Sequence, residues 1–213
     1  MIVALLVFVT ACGSSSARPT TPAPAAHPTT AAPPCGPAAA TTLAASHRAR
    51  VYQAGNAVYG CAAAAGAAGP SFRLGNATHT IDERRAGPVA VAGVLAAYGL
   101  TSFGVDTVRA KVVVRRLTDG RQLQTFAATK ATGAESFESV GSVVVKADGA
   151  VAWIAHVNSI GGRGQATEVH SARAGAADVV LGSGPGIDPS SLRLRGSTLS
   201  WRDASTTRRA TLP

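Results

Sequence analysis

The sequence contains few charged and few aromatic residues. Of its 213 residues 15% are charged and 5% aromatic, whereas 46% are hydrophobic. A typical domain has about 25% charged residues. This composition excludes a coiled coil and a chain that is disordered over most of its length. No hydrophobic run is long enough for a conventional membrane-spanning helix. The length favours one substantial domain over two small ones.

The motifs of common catalytic and cofactor sites are also missing. There is no Gly-x-Ser-x-Gly nucleophile elbow in the chain. The glycine-rich segments 161–164 and 182–186 lack the Gly-Lys-Ser/Thr that completes a phosphate loop, so both are interpreted as loops between strands. We therefore predict no catalytic residue, no metal site and no cofactor.

No two of the five histidines stand at a spacing typical of metal ligands. The five are His27, His47, His79, His156 and His170. His170 follows Val169 directly, so strict alternation along a strand places it opposite Val169, on the solvent face. We expect all five to be surface or rim residues.

The N-terminus has the pattern of an export signal. The first eleven residues are apolar apart from Thr10, which is too short for a permanent membrane span but fits the apolar region of a signal peptide. Residues 9–13, VTACG, resemble the lipobox of bacterial lipoproteins, in which the chain is cut before the cysteine and that cysteine is acylated. The resemblance implies a signal peptide and lipobox over 1–12 and a lipidated Cys12. The alternative is a buried N-terminal strand in which Cys12 has no such role.

The next segment, 13–34, is composed mostly of Ser, Thr, Ala and Pro. It has too few large apolar side chains to bury a core, and its prolines favour extended conformations. We predict a disordered tether between a membrane anchor and a folded domain over 35–213. The protein would then lie on the extracytoplasmic face of the cell membrane, held there by its lipid, or be secreted if Cys12 is not acylated.

Three cysteines are an odd number for an exported protein. If Cys12 is acylated, Cys35 and Cys61 remain, and an oxidising compartment favours a disulfide between them. Such a bridge would close a loop of about 27 residues and contribute on the order of 3 kcal/mol. It would attach the segment that begins with residues 37–40, predicted as a short helix with Pro37 in its first turn, to the first hairpin. Two free buried thiols are the alternative.

Beyond Arg48 a single pattern occurs four times. An apolar run, a glycine turn and a second apolar run are followed by an aromatic residue four or five positions after the glycine. The turn glycines are Gly55, Gly93, Gly149 and Gly196, and the aromatics are Tyr59, Tyr98, Trp153 and Trp201. Alternation around a glycine turn predicts β-hairpins. The nearly constant offset predicts that the four aromatics are core residues on the same face of each repeat.

Further strands extend these hairpins into larger units. A second hairpin is predicted over 111–126 and another over 167–181, with single strands at 71–74 and 206–212. The turn glycines are 38, 56 and 47 residues apart. Antiparallel units recurring at these spacings resemble β-propeller blades, and the chain resembles secreted propeller-like proteins of actinobacteria. The Trp-Asp and Gly-His pairs of WD40 repeats are absent. We predict an all-β fold of about four units with three or four strands each.

Three arrangements of these units are compatible with the pattern. They could close as a small β-propeller, form part of a larger ring completed by another chain, or pack as a two-layer β-sandwich. The propeller is the preferred prediction, because four units with one repeated grammar are typical of blades.

The charge balance is strongly basic. Lys and Arg together number 20 against 11 acidic residues, which leaves a net charge of +9. The candidate anion-binding residues are paired or alternating arginines: Arg115, Arg116, Arg193, Arg195, Arg208 and Arg209. They favour an anionic partner such as lipid headgroups, an envelope polymer or a protein. Nucleic acid is disfavoured because the aromatics occupy core positions. The alternative is a solubilising surface.

Three functional hypotheses follow. The first is a membrane-tethered, non-catalytic binding module. The second is an extracytoplasmic hydrolase of a polysaccharide or cell-wall component, whose carboxylates, such as Glu135 and Glu138, lie on loops. The third is a structural envelope component in which an exposed edge strand pairs with another chain.

Overall fold

A computed structural model describes residues 35–63, 67, 69–78, 84–130, 136–159 and 165–213. The predicted signal peptide, Cys12 and the tether lie outside these residues, so those predictions stay predictions. Within the described residues every regular element is a β-strand. The prediction of an all-β fold is therefore confirmed.

The strands form four antiparallel units. Unit 1 contains β1 (Thr41–Ala45), β2 (Ala49–Ala54), β3 (Ala57–Ala62) and β4 (Ser71–Asn76). Unit 2 contains β5 (Arg85–Ala92), β6 (Leu95–Phe103), β7 (Val108–Arg116) and β8 (Gln122–Ala127). Unit 3 contains β9 (Ser136–Val145), β10 (Val151–Ser159), β11 (Ala166–Ala172) and β12 (Val179–Ser183). Unit 4 contains β13 (Arg193–Arg195), β14 (Thr198–Asp203) and β15 (Thr206–Thr211).

The units are joined only weakly by backbone hydrogen bonds. Inside each unit, consecutive strands pair along their length as an antiparallel meander. Units 1 and 2 are linked by one parallel pair, Asn76 with Arg85, and units 2 and 3 by another, Val108 with Phe137. Units 1 to 3 thereby share one 12-stranded sheet, whereas unit 4 is a separate 3-stranded sheet.

The predicted hairpin turns are confirmed. Gly55, Gly93, Gly149 and Gly196 each connect two paired strands and have φ of 59°, 58°, 93° and 58°. Positive φ at these turns is readily adopted by glycine and strains most other residues. Strand β1 has no counterpart in the sequence prediction, so unit 1 has four strands rather than three.

Successive units pack face to face. On β7 the side chain of Val113 belongs to the core shared with unit 1, whereas its neighbours Val112 and Val114 belong to the core shared with unit 3. On β10 Trp153 packs against unit 2 and Ile154 packs against unit 4. Units 2 and 3 are therefore buried on both faces.

Glycines allow this close approach. A Cβ at Gly99 of β6 would lie 2.9 Å from Cβ of Val140 on β9, and a Cβ at Gly60 of β3 would lie 2.6 Å from Leu117. Both distances are shorter than ordinary carbon–carbon contacts. Larger residues at these positions would push neighbouring units apart.

The repeat aromatics lie at equivalent places in the stack. Tyr98, Trp153 and Trp201 are 1%, 0% and 5% exposed, each at the junction with the preceding unit. In the part of the chain that the structure describes, no unit precedes unit 1. Its aromatic, Tyr59, is half-buried and stacks on Tyr52, with ring centroids 5.6 Å apart.

The outer face of unit 1 is covered by residues 35–40, and the predicted disulfide between Cys35 and Cys61 is confirmed there. The predicted helix over 37–40 is wrong. These residues form a single turn before β1, with the amide of Ala40 donating to the carbonyl of Pro37. The guanidinium of Arg50 donates to the carbonyls of Pro37 and Ala40 at 3.2 and 2.5 Å. In so short a segment the few helical hydrogen bonds do not offset the free-energy cost of helix nucleation. The carbonyls of Pro37 and Ala40 accept hydrogen bonds from Arg50 instead.

The preferred prediction of a closed propeller is not confirmed, because the described strands do not close into a ring. Closure would require unit 4 to pack on unit 1. The outer face of unit 1 already packs against residues 35–40, and the outer face of unit 4 is exposed and bears arginines. Burying unpaired arginines is too unfavourable for the two faces to associate.

Candidate anion-binding site

The outer face of unit 4 collects several of the predicted arginines. Along β14, Leu199 and Trp201 are buried against unit 3. The residues that alternate with them face away from the core, and in-register pairing extends this face onto β13 and β15. We call it the arginine face; its members are Arg193, Arg195, Thr198, Ser200, Arg202, Thr207, Arg209 and Thr211.

Cations and hydroxyl groups alternate across the arginine face. Arg193, Ser200 and Arg209 form one row across the three strands. With strands about 4.8 Å apart, the two arginines of this row stand about 10 Å from each other. Arg193 and Arg195 are about 7 Å apart along β13. All four arginines of the face are exposed, although Nη1 of Arg193 donates to the carbonyls of Ser190 and Leu192.

One carboxylate borders the arginine face. Asp188 accepts hydrogen bonds from the side chain and backbone amide of Ser190, at 2.7 and 2.9 Å. These bonds lower the pKa of Asp188, and the nearby charges of Arg202 and Arg193 lower it further. Within residues 165–213 no arginine of the face forms a salt bridge. Four arginines beside one aspartate leave the face positive.

Arg208, another predicted anion-binding residue, points to the opposite side of the sheet. It pairs with the buried Trp201, and its Nε donates to Oδ2 of Asp203 at 3.3 Å. Of the four candidates in unit 4, Arg193, Arg195 and Arg209 therefore share the arginine face, and Arg208 does not.

Arg115 and Arg116, the remaining two candidates, lie far along the stack on β7 and face opposite ways. Arg116 forms an exposed salt bridge in which Nη2 lies 2.5 Å from Oδ2 of Asp119. The hydrogen bond from Arg116 lowers the pKa of Asp119 to about 2. Arg115 lines a cavity together with Arg73 and Arg84. The structure thus divides the six candidates among separate places.

Comparisons with known proteins identify no relative of this chain. No protein-family model matches the chain, and comparisons with curated proteins and solved structures find no match. In the part of the chain that the structure describes, no helix is long and apolar enough to cross a membrane. The same residues contain no group of three or more His, Cys, Asp or Glu side chains placed to hold a metal ion.

The prediction that His170 faces solvent is wrong. Its side chain is fully buried and stacks on Trp153, with ring centroids 4.8 Å apart and planes 3° from parallel. Alternation relative to Val169 is preserved, but both faces of unit 3 are buried. The register also shifts between Val169 and His170 where β11 pairs with β12.

His170 is the centre of a charged cluster at the junction of units 2 and 3. Its Nε2 lies 2.9 Å from Oε2 of Glu168, and its Nδ1 lies 2.8 Å from Oδ2 of Asp178. Lys130 of unit 2 reaches both carboxylates: its Nζ binds Asp178 at 2.6 Å, and its amide donates to Glu168 at 2.8 Å. Sequence alone offers one signal for this cluster, since Glu168 and His170 are two residues apart on a strand and so share a face.

This cluster binds the two units together. Burial raises the pKa of Asp178, but hydrogen bonds from Lys130 and His170 together outweigh it, so the pKa lies below its ordinary value. Both ring nitrogens of His170 already have partners and its ring is 0% exposed. The cluster is therefore interpreted as structural.

The other histidines and carboxylates form no equivalent cluster in the described ranges. His47 is exposed, and Nδ1 of His156 lies 3.0 Å from the hydroxyl of Thr167. Glu138, a candidate for the hydrolase hypothesis, lies on β9 rather than on a loop and forms a 2.8 Å salt bridge with Arg109. His27, His79 and Glu135 lie outside the described residues.

Proposed function

We propose that the protein is a membrane-tethered, non-catalytic binding module whose arginine face binds a linear anionic carbohydrate polymer of the cell envelope. The observation that carries this proposal is the arginine face itself. It presents four exposed arginines and four Ser or Thr residues on one side of a three-stranded sheet. Guanidinium groups bind phosphate and carboxylate through paired hydrogen bonds.

A polymer suits this face better than a single small anion. Its cations are distributed over distances of about 7 to 10 Å on a flat sheet, so one small ligand cannot reach them all. Hydroxyls of Ser200, Thr198 and Thr207 between the arginines are suited to the hydroxyl groups and ring oxygens of a sugar or polyol chain. The face holds no aromatic residue on which nucleic acid bases could stack.

The position of the face favours the polymer over the membrane's own headgroups. The predicted tether, 13–34, leads directly into Cys35, which is fastened to the outer face of unit 1. The arginine face is on unit 4, at the other end of the stack. Fully extended, a tether of 22 residues reaches about 70 Å. A tether of this reach can hold the domain, and with it the arginine face, clear of the lipid surface.

We further propose that the four meanders are blade-like units in an open stack, in which neighbours pack as sandwich layers do. A stack of repeats needs end units with polar or covered outer faces. The covered face of unit 1 and the arginine face of unit 4 meet this requirement. A sedimentation measurement of the full chain at micromolar concentration should give a monomer; a dimer would instead favour a ring completed by a second copy.

The hydrolase and structural hypotheses have less support. Glu168 and Asp178 approach the same histidine, but both side chains are almost buried and are engaged by His170 and Lys130. Among described residues this leaves no pair of free carboxylates flanking a cavity. Strands β1 and β12 are open sheet edges, and the monomer measurement above tests whether they pair with another chain.

Binding of defined polymers tests the proposed function. Full-length chain carrying Cys12→Ser, which removes the predicted acylation site, is titrated with long-chain polyphosphate and with polygalacturonate. The variant Arg195→Ala/Arg202→Ala/Arg209→Ala should bind the polymer at least about tenfold more weakly than the parent chain. The salt dependence of its affinity should also be shallower. Arg116→Ala, which removes an exposed arginine elsewhere, is the matched control and should leave binding unchanged.

The choice of probe separates the possible ligands. Preference for polygalacturonate supports an anionic carbohydrate polymer, whereas preference for polyphosphate, which contains no sugar, contradicts it. Equal loss of binding in the triple variant and the Arg116→Ala control would contradict a specific face. Binding only to vesicles of phosphatidylcholine and phosphatidylglycerol, or only to DNA, would also overturn the proposal.

A further inference from the structure

A second basic site lies at the junction of units 1 and 2, far from the arginine face. It is a cavity of about 470 Å³ between β4 of unit 1 and β6, β7 and β8 of unit 2. Its polar lining consists of Arg73, Asn76, Arg84, Tyr98, Arg115 and Gln122. Cavities of roughly 300–1,000 Å³ hold small-molecule ligands. We propose that this cavity binds a small molecule through an oxyanion group, either phosphate or carboxylate.

Two of the lining cations come from separate segments of the chain. Arg115 pairs with Ala96, two residues before Tyr98 on β6, so Arg115 and Tyr98 share the face that looks toward unit 1. Arg84 stands just before β5, where the amide of Asn76 donates to its carbonyl at 2.9 Å. Arg84 and Arg115 thus line the cavity from a loop and from β7.

The described lining of the cavity is cationic. It contains three arginines and no carboxylate. Arg115 is held there by a hydrogen bond from its Nη1 to the carbonyl of Arg73 at 3.3 Å, and its Nε is buried. An anionic ligand would balance the charge of this lining.

Neutral donors complete the site. Tyr98 is 1% exposed, and burial raises the pKa of its phenol although Arg115 opposes this. The phenol therefore stays protonated at neutral pH and can donate to an oxyanion. Arg73 and Asn76 are already engaged with each other, Nη2 to Oδ1 at 2.6 Å, so the inference rests on Arg84 and Arg115.

The volume of the cavity favours a small ligand. It is large enough for a sugar phosphate or a sugar acid. The cavity lies at the junction of two units, whereas the arginine face lies on one side of a single sheet. The cavity uses none of the residues of the arginine face, and its test is independent of the polymer proposal.

Isothermal titration of the full chain carrying Cys12→Ser with glycerol 3-phosphate, inorganic phosphate and galacturonate tests the site. Arg115→Ala should weaken binding about tenfold or more, as removal of a charged hydrogen-bond partner does. Arg116→Ala is the matched control, because it is the next residue on β7 and faces the other way; it should bind normally. Arg84→Ala provides a second, exposed variant in case Arg115→Ala fails to fold.

Several outcomes decide the matter. Tighter binding of the two phosphates supports a phosphate site, and tighter binding of galacturonate supports a carboxylate site. No heat signal with any probe at millimolar concentration overturns the proposal, and so does equal weakening by Arg116→Ala. Binding that appears only after Asp82→Asn/Glu83→Gln would show that the chain's own acids fill the cavity, which also overturns it.

The two proposals fail separately. If Arg195→Ala/Arg202→Ala/Arg209→Ala abolishes the small-anion signal, the ligand binds the arginine face and the cavity proposal is wrong. If that triple variant retains small-anion binding but also retains polymer binding, the polymer proposal is wrong and the cavity stands.

Discussion

Arginine is buried at one end of the row of units, in unit 1, and exposed at the other end, in unit 4. At unit 1, Arg50 is 6% exposed and donates to Thr42 and to backbone carbonyls of residues 35–40. At unit 4, the four arginines of the arginine face point into solvent. One end is closed by a disulfide-linked cover, and the other is closed by a polar surface.

This contrast shows two solutions to the problem of ending a repeat array. Each unit has two faces, and an end unit has only one neighbour to bury a face against. Unit 1 keeps aromatic side chains, Tyr52 and Tyr59, on its outer face and needs a cover. Unit 4 has no large apolar side chain on its outer face. This face can therefore remain in contact with water, and a ligand can bind to it.

The largest effect should come from the aromatic at the unit 4 end. Trp201→Ala removes a side chain that is 5% exposed between units 3 and 4, and should lower the free energy of unfolding by about 3–5 kcal/mol. Tyr59→Ala, at the equivalent position of the half-buried outer face of unit 1, should have a smaller effect. Urea denaturation followed by fluorescence measures both. An equal loss of unfolding free energy in the two variants would contradict this difference between a buried junction of units and a half-buried outer face.

The next effect tests the covered end. Cys35→Ala/Cys61→Ala removes the disulfide across a sequence separation of 26 and should cost about 3 kcal/mol in unfolding free energy. The same comparison should show faster proteolysis near residues 35–40, since their cover of Tyr52 depends on the bridge. Unchanged urea unfolding would mean that Arg50 alone holds the cover in place.

A substitution at the junction of units 2 and 3 should have an intermediate effect on stability and can be compared with those at the two ends. Asp178→Asn weakens charged hydrogen bonds to Lys130 and His170 and should cost about 1.5–3 kcal/mol at neutral pH. Because the pKa of Asp178 is lowered in the folded protein, its carboxylate contributes stability above its unfolded pKa, and that contribution is lost as pH falls through the folded value.

The pH dependence gives this prediction its control. Urea denaturation at pH 7 and at a pH below about 4 gives the loss of unfolding free energy in acid. This loss should be larger for the wild type than for the Asp178→Asn variant. Identical acid sensitivity of the two proteins would contradict a stabilising role for this carboxylate.

The smallest effect is expected at the arginine face. Arg195→Ala/Arg202→Ala/Arg209→Ala should change the free energy of unfolding by no more than about 0.5 kcal/mol per site, since these side chains are exposed and unpaired with carboxylates. Arg50→Met, at the other end, should destabilise clearly because it removes the buried guanidinium that donates to the hydroxyl of Thr42 and to the carbonyls of Pro37 and Ala40. Strong destabilisation by the triple variant would mean that the face serves the fold rather than a ligand.

Local features of the chain were predictable, and long-range ones were not. The hairpins at Gly55 and Gly149 follow from alternation and from the conformational freedom of glycine, both of which act over a few residues. The helix prediction at Pro37 failed because Arg50, thirteen positions later, takes the carbonyls of that turn. The solvent-facing prediction for His170 failed because it assumed one exposed face in a unit that has none.

The candidate site was predicted in part. Placing Arg193 and Arg195 on one side of a strand requires only period-two alternation. That Arg209 joins them, and that Arg208 turns away toward Asp203, depends on the register of β14 with β15. The cavity beside Arg115 depends on contact between two units and has no local signature.

By itself, the sequence determined the strands, their glycine turns, the cysteines available for a bridge and the abundance of arginine. These are properties of neighbouring residues, and sterics and side-chain alternation fix them locally. Only the tertiary structure decided that the described units do not close into a ring, which face of each unit is buried and which arginines come together. Those outcomes depend on contacts between residues far apart in the chain, where burial of apolar faces competes with the cost of burying charge.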